Sequence, residues 1–246
     1  MIRGMKTTLR VLLAEALGTF YLCFAGIAAI LCTAPPISAG GGLVAIALAH
    51  GLALSIAVNN FGGISGAHVN PAVTMGMLVT GRIKAPLALL YVVAQMLGAS
   101  IAAMTCREIF PAETVAAAML GIPLPAAWAT TGTVFCVEFV LTFLLITSVF
   151  GTAVDERGKT VKIGGFGIGL TVAFDILAGG PITGASMNPA RSFGPALVMG
   201  HWEWHWLYWV APILGGCTAA LFYHHVLLIA PDEPPVKEEY LDRGRR

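Results

Sequence analysis

The chain has 246 residues, 57% hydrophobic and only 11% charged, with a formal net charge of +1. Soluble domains carry roughly 25% charged residues, so this composition fits a membrane solvent and argues against a separate soluble domain. The near-neutral balance also lacks the basic surplus that nucleic-acid binding requires.

Six apolar stretches follow in chain order, near residues 9–31, 43–61, 86–105, 130–151, 163–179 and 205–229. Most have the ~17–25 residues that carry a helix across a hydrocarbon core of ~30 Å. The first follows MIRGMKTTLR and could be misread as a signal peptide. Its apolar run passes Leu31 and contains Glu15, whereas a cleaved apolar region is about 7–15 residues long; it reads as a retained first span. The fifth stretch shades into glycine-rich sequence, so its end is the least defined. The tail 231–246 is polar, mixed in charge and proline-containing, and reads as flexible.

Lys and Arg placement orients the spans. Arg3, Lys6 and Arg10 precede span one, and Arg82 and Lys84 follow span two. Arg157, Lys159 and Lys162 follow span four, and Lys237, Arg243, Arg245 and Arg246 follow span six. The opposite loops hold Arg107 and Arg191, so twelve of fourteen cations fall on one side. The pattern predicts six spans, both termini cytoplasmic, and a multi-pass protein of the cell membrane.

Between the spans lies a repeat. Ser65 to Gly76 reads SGAHVNPAVTMG and Thr183 to Gly194 reads TGASMNPARSFG, with six of twelve positions identical at an offset of 118 residues. One string follows span two and the other span five, which divides a single channel domain, 1–246, into repeats of about 8–109 and 130–230. Each repeat holds three spans, an odd number, so the second copy must lie inverted in the membrane. The apolar run after each Asn-Pro-Ala is about ten residues including the motif, or ~15 Å of helix. That is half a bilayer, and two such half-helices meeting end to end would span it.

The motif residues Asn70, Pro71, Ala72 and Asn188, Pro189, Ala190 suit a helix start: Asn caps, Pro fits the first turn, and Ala propagates. Gly66, Ala67, His68 and Val69, with Gly184, Ala185, Ser186 and Met187, are then expected to be extended. Irregular backbone at membrane depth is tolerated only where it is buried or lines a water-filled path. Carbonyls of Gly66, Ala67, His68, Gly184, Ala185 and Ser186 are therefore expected to line a pore. Two helix N-termini pointing at its centre would welcome a neutral molecule and repel a cation.

Glu15 and Glu138 occupy the equivalent first helices of the two repeats. Intramembrane carboxylates are expensive, and equivalent placement suggests that each accepts hydrogen bonds from a re-entrant loop; a proton relay is the alternative. Arg191 follows the second motif where the first has Val73, which places a cation near the outer mouth. His50 in span two reads first as a satisfied core residue, since a lone histidine in a span more often is one, with a pore residue as the alternative. Asp175 could pair with Arg191 or His50, or mark a polar seam between helices. The five cysteines show no paired metal spacing and read as packing residues. His201, His205, His224 and His225 lie near span ends beside Trp202, Trp204 and Trp206, as interfacial residues do. No Ser-His-Asp set or metal cluster is evident, so neither an enzyme nor a cofactor is expected.

These motifs resemble those of the aquaporins of the major intrinsic protein family, over about residues 8–230. The resemblance rests on both Asn-Pro-Ala strings, the two glutamates, Arg191 and the six-span plan. It implies an all-α membrane fold, six transmembrane helices plus two re-entrant half-helices around one pore per subunit, assembled as a homotetramer. It further implies a narrow selectivity filter at His50, Ile176, Ala185 and Arg191. Histidine in span two and isoleucine in span five, with ILAGG from Ile176 and NPARSFGPALV from Asn188, are similar to the plant tonoplast intrinsic proteins. Ser192, Ala196 and the pair Tyr208-Trp209 are of the water-channel type. The implied function is a passive channel for water, with ammonia, urea, hydrogen peroxide or glycerol as further neutral solutes and with ions and protons excluded. Ile176 in place of a hydrogen-bonding histidine widens the filter, which keeps a glycerol or urea facilitator open as the main role. A coupled secondary transporter is the remaining alternative.

Overall fold

The computed structural model describes residues 2–160 and 163–228. The tail from 231, expected to be flexible, lies outside them, as does Lys162. Among the described residues, six helices are long and apolar enough to cross a membrane. They are built on α1 (Ile2–Thr33), α2 (Gly42–Ser65), α4 (Ala85–Ile109), α6 (Thr131–Val149), α8 (Gly164–Thr183) and α10 (Leu207–Phe222), the fourth and sixth spans continuing through π-helical turns to Val154 and Leu227. Two short helices, α3 (Pro71–Val79) and α9 (Pro189–Met199), follow the repeated strings, as their sequence predicts. Two further short helices, α5 (Ala112–Ala117) and α7 (Glu156–Thr160), lie in the connections. The fifth span runs to Thr183 rather than 179, because its Gly-Gly-Pro segment stays helical with Pro181 inside.

Contacts pair the halves symmetrically. α1 packs on α2 and α4, while α6 packs on α8 and α10. Close approach depends on glycine: a Cβ on Gly98 would collide with the Ala16 carbonyl between α4 and α1, and one on Gly215 with the Phe139 carbonyl between α10 and α6. The halves join where α2 meets α8. There Gly51 and Gly169, 118 residues apart like the repeats, face each other so closely that a Cβ on either would strike the other's carbonyl. The short helices cross over: α3 packs on α10, and α9 on α4.

Large side chains such as Leu89, Leu97, Leu9 and Leu13 point outward and are exposed, as hydrocarbon contact requires. Cys23 and Cys106 are buried, which fits a packing role, but Cys136 is exposed on the outer surface of α6.

Candidate functional site

Each short helix begins as its motif dictates. Asn70 and Asn188 are extended and accept from the backbone N–H of Ala72 (2.8 Å) and Ala190 (3.0 Å), with Pro in the first turn. The free end of each amide reaches across to the other loop. Asn70 Nδ2 donates to Met187 O, and Asn188 Nδ2 donates to Val69 O, both at 2.9 Å. The two tips are thereby tied together at the middle of the molecule. An amide nitrogen carries two N–H groups, so each retains one beyond this bond.

The segments before the motifs are not extended. Gly66, Ala67 and Val69 have φ of +86°, +45° and +56°, and Gly184, Ala185 and Met187 have +82°, +44° and +53°. Left-handed backbone at a non-glycine residue is strained by about 1–2 kcal/mol. The carboxylates compensate: alternating handedness turns successive N–H groups to one side, where a glutamate collects them. Glu15 accepts from His68 N (2.9 Å), Val69 N (2.8 Å) and Ser65 Oγ (2.6 Å). Glu138 accepts from Ser186 N (2.9 Å), Met187 N (2.8 Å) and Thr183 Oγ1 (2.7 Å). Both glutamates are fully buried.

Alongside the tips runs one cavity of about 310 Å³. Four helices contribute residues one turn apart: His50, Leu54 and Val58 from α2; Val73 and Met77 from α3; Leu145 and Val149 from α6, continued by Ala153 in the π-helical turn after it; Ile168, Val172 and Ile176 from α8. The walls are mostly apolar, and the polar groups are few. Gly66, Ala67, His68, Ala185 and Ser186 also line the cavity. Gly184 is not among these lining residues; on its Cα side stands Pro123, which a Cβ would approach to 2.8 Å.

His50, Ile176, Ala185 and Arg191 gather around the cavity, which also takes in Asn70 and Asn188. His50 Nδ1 lies 2.9 Å from Ile46 O in the preceding turn, which fixes the ring orientation. Arg191 is buried and donates from Nη1 to Gly121 O at 2.7 Å. Asp175 pairs with neither Arg191 nor His50. Both its carboxyl oxygens are buried without a hydrogen-bond partner, and Gly179, one turn on, packs against Leu141 of α6.

Several structural roles escaped the sequence reading. Tyr91 and Tyr208 donate to Ser65 O (2.8 Å) and Thr183 O (2.6 Å), pinning the two loop starts. Their spacing of 117 residues nearly equals the repeat offset, a signal that aligning the halves would have caught. Gln95 donates to Glu15 Oε2 (2.8 Å) and Thr74 Oγ1 (3.0 Å), and the matching residue is Pro212, so no repeat marks it. Gly121 holds Arg191 through a backbone carbonyl, which leaves no side-chain signature.

At the far end of the bundle, Asp155 accepts from the Arg157 guanidinium and from Tyr223 Oη (3.1 Å). Bonding to Arg157 is the main cause that holds its carboxyl down to about 2. Arg157 Nη2 also donates to Leu227 O (2.7 Å), so this cluster ties the end of α6 to the end of α10.

Against this geometry stand the relatives. The model of the "Major intrinsic protein" family matches residues 2–223. "Aquaporin TIP4-4" of Zea mays is 41% identical over 95% of this chain and 92% of its own length. "Probable aquaporin TIP3-2" of Arabidopsis thaliana is 43% identical over 93% of this chain and 87% of its own. Among solved structures, the aquaglyceroporin from Plasmodium falciparum superposes with a TM-score of 0.81 at 24% identity, covering 89% of this chain and 97% of that one. That likeness speaks for the fold.

Proposed function

The chain belongs to the major intrinsic protein family, and on that premise we propose that it is a passive channel for water which also passes small neutral solutes and excludes ions and protons. It is a multi-pass membrane channel and not an enzyme. One observation carries the reading: Asn70 and Asn188, tied reciprocally to the opposite loops, flank a continuous cavity whose walls are apolar stripes. The second N–H of each amide is available to a solute oxygen there. Two helix N-termini converge at the same point and raise the energy of a cation.

In this reading His50, Ile176, Ala185 and Arg191 form the selectivity filter. Carbonyls of Gly66, Ala67, His68, Gly184, Ala185 and Ser186 supply acceptors along the path, and Glu15 and Glu138 hold the loops. The repeats are inverted, the termini are cytoplasmic as the cation distribution argues, and the channels assemble as homotetramers in the cell membrane. Cross-linking of the solubilised protein tests the tetramer. Imaging of a tagged chain tests the location, and an internal membrane would overturn it.

The deciding experiment is one solute panel on one reconstituted preparation. Vesicles carrying the channel should swell in an osmotic gradient much faster than empty ones. Water, ammonia, urea and glycerol are then compared. Ile176→His should reduce urea or ammonia flux more than water flux, because it narrows the filter and adds a donor. Water flux no greater than that of empty vesicles removes the reading. Glycerol or urea outpacing water would make the chain a facilitator, and gradient-coupled saturable flux a transporter.

A further inference from the structure

The cavity has a second cation at the mouth opposite Arg191. Arg82 lines it beside Met77, Ala153 and Val154, whereas His50, Ile176 and Arg191 lie at the other end. The antiparallel contact of α2 with α8 sets this order: Gly51 meets Ala173 near the filter and Val58 meets Gly165 at the other end, where Gly167 approaches Thr152, two residues from the Phe150 ring over which Arg82 lies. From sequence, Arg82 counted only as a loop charge.

Its placement is built. Thr80 ends α3, Gly81 takes φ +72°, and two reversed bonds close the turn: Gly81 N to Leu78 O (3.0 Å) and Arg82 N to Met77 O (2.8 Å). This is a Schellman stop, which holds Arg82 at a set position beyond the helix. The guanidinium then lies 5.1 Å from the centroid of the buried Phe150 ring. Nη1 donates to Thr80 O (3.2 Å), and both terminal nitrogens lie 3.4 Å from His224 Nδ1. A cation over an aromatic face with two further acceptors is oriented, unlike a free surface arginine. The second half makes the same stop, with His201 N donating to Ala196 O (3.0 Å) after Gly200. His201 does not line the cavity.

We propose that Arg82 is a further specificity-determining residue: a fixed guanidinium that keeps the mouth opposite Arg191 at positive potential and disfavours small cations there, ammonium-type ions included. The inference rests on reading the cavity as a pore. Each end of the cavity is then lined by a guanidinium, Arg82 at one and Arg191 at the other, supplied by a different half through a different local structure.

The test measures the potential at that mouth directly. A reporter thiol is introduced by Ala153→Cys in the full reconstituted chain, alone and combined with Arg82→Gln or Arg82→Lys. Its modification is timed with a cationic trimethylammonium-ethyl and an anionic sulfonatoethyl methanethiosulfonate; the chain without the reporter supplies the background of native thiols. At low ionic strength the anion-to-cation rate ratio should fall about tenfold in Arg82→Gln, since one charge at ~6 Å changes each rate about threefold in opposite senses. Arg82→Lys should retain it, and ~1 M salt, where the Debye length is ~3 Å, should abolish the difference. An unchanged ratio in Arg82→Gln, or one indifferent to salt, overturns the proposal. If Arg82→Gln does not assemble, Arg82→Met takes its place in the same reporter chain, with the same fall in the ratio expected and an unchanged ratio overturning the proposal. Water flux through the same vesicles is a separate readout. Its absence sinks the pore reading, whereas normal flux with an unchanged ratio sinks this inference alone.

Discussion

Glu15 in the first half collects Ser65 Oγ, His68 N, Val69 N and Gln95 Nε2; Glu138 in the second collects Thr183 Oγ1, Ser186 N and Met187 N, and has no amide counterpart. The backbone around them is alike, with left-handed residues at matching positions. What differs is the side chains set on that shared frame. Val73 faces the cavity where the second half has Arg191, Ala57 stands where the second half has Asp175, and Gln95 stands where it has Pro212. The comparison teaches that the loop-holding device is common to both halves, and that the asymmetric residues are the candidates for selectivity and fine tuning.

The sharpest way to break the symmetry is at its shared element. Glu15→Ala or Glu138→Ala leaves two strained backbone N–H groups and a hydroxyl buried without an acceptor, a loss of about 3–5 kcal/mol by analogy with broken buried charge pairs. Thermal unfolding in detergent should drop strongly for both, and a small drop for either would show its loop held by other means. Arg191→Val gives the second motif the residue of the first. It should raise urea flux relative to water several-fold in the solute panel; an unchanged profile would take Arg191 out of the filter.

Gln95→Leu is subtler, because it reduces the four donors at Glu15 to the three seen at Glu138. The lost charge-assisted bond is partly offset, since Gln95 Oε1 is buried without a partner. The net should be about 1 kcal/mol, visible as a modest fall in melting temperature; a gain in stability would mean that the unpaired oxygen outweighs the bond. The smallest effect lies outside both loops. The Asp155 carboxyl is held down to about 2, below its ordinary value near 3.9. Its contribution is complete above that ordinary value and is lost as pH falls through about 2. Asp155→Asn should therefore flatten the acid limb of the melting profile below about pH 4, and an identical limb would assign the acid sensitivity elsewhere.

The spans, the two half-helices and their caps were legible because each follows from local chemistry. Apolar length dictates a crossing, and Asn-Pro-Ala starts a helix wherever it is placed. The duplicated three-span plan added the equivalence of Glu15 with Glu138, one in the first helix of each repeat. Other features could not be read locally. Left-handed backbone at Ala67 and Ala185 is unfavourable in isolation and exists only because a glutamate from another helix gathers the N–H groups. The anchor of Arg191 is a carbonyl that any residue at 121 would possess. Arg82 faces the cavity only because α3 stops beneath Phe150.

Sequence by itself therefore determined the solvent, the number of crossings, the duplicated plan and the identity of the tip residues, all of which depend on composition and short-range preference. Tertiary structure alone decided that each tip amide bonds the opposite loop, that Gly121 O holds Arg191, and that Asp175 stays unpaired. These outcomes depend on which distant atoms are brought within hydrogen-bond reach, and that is a property of the packed helices, not of any segment of the chain.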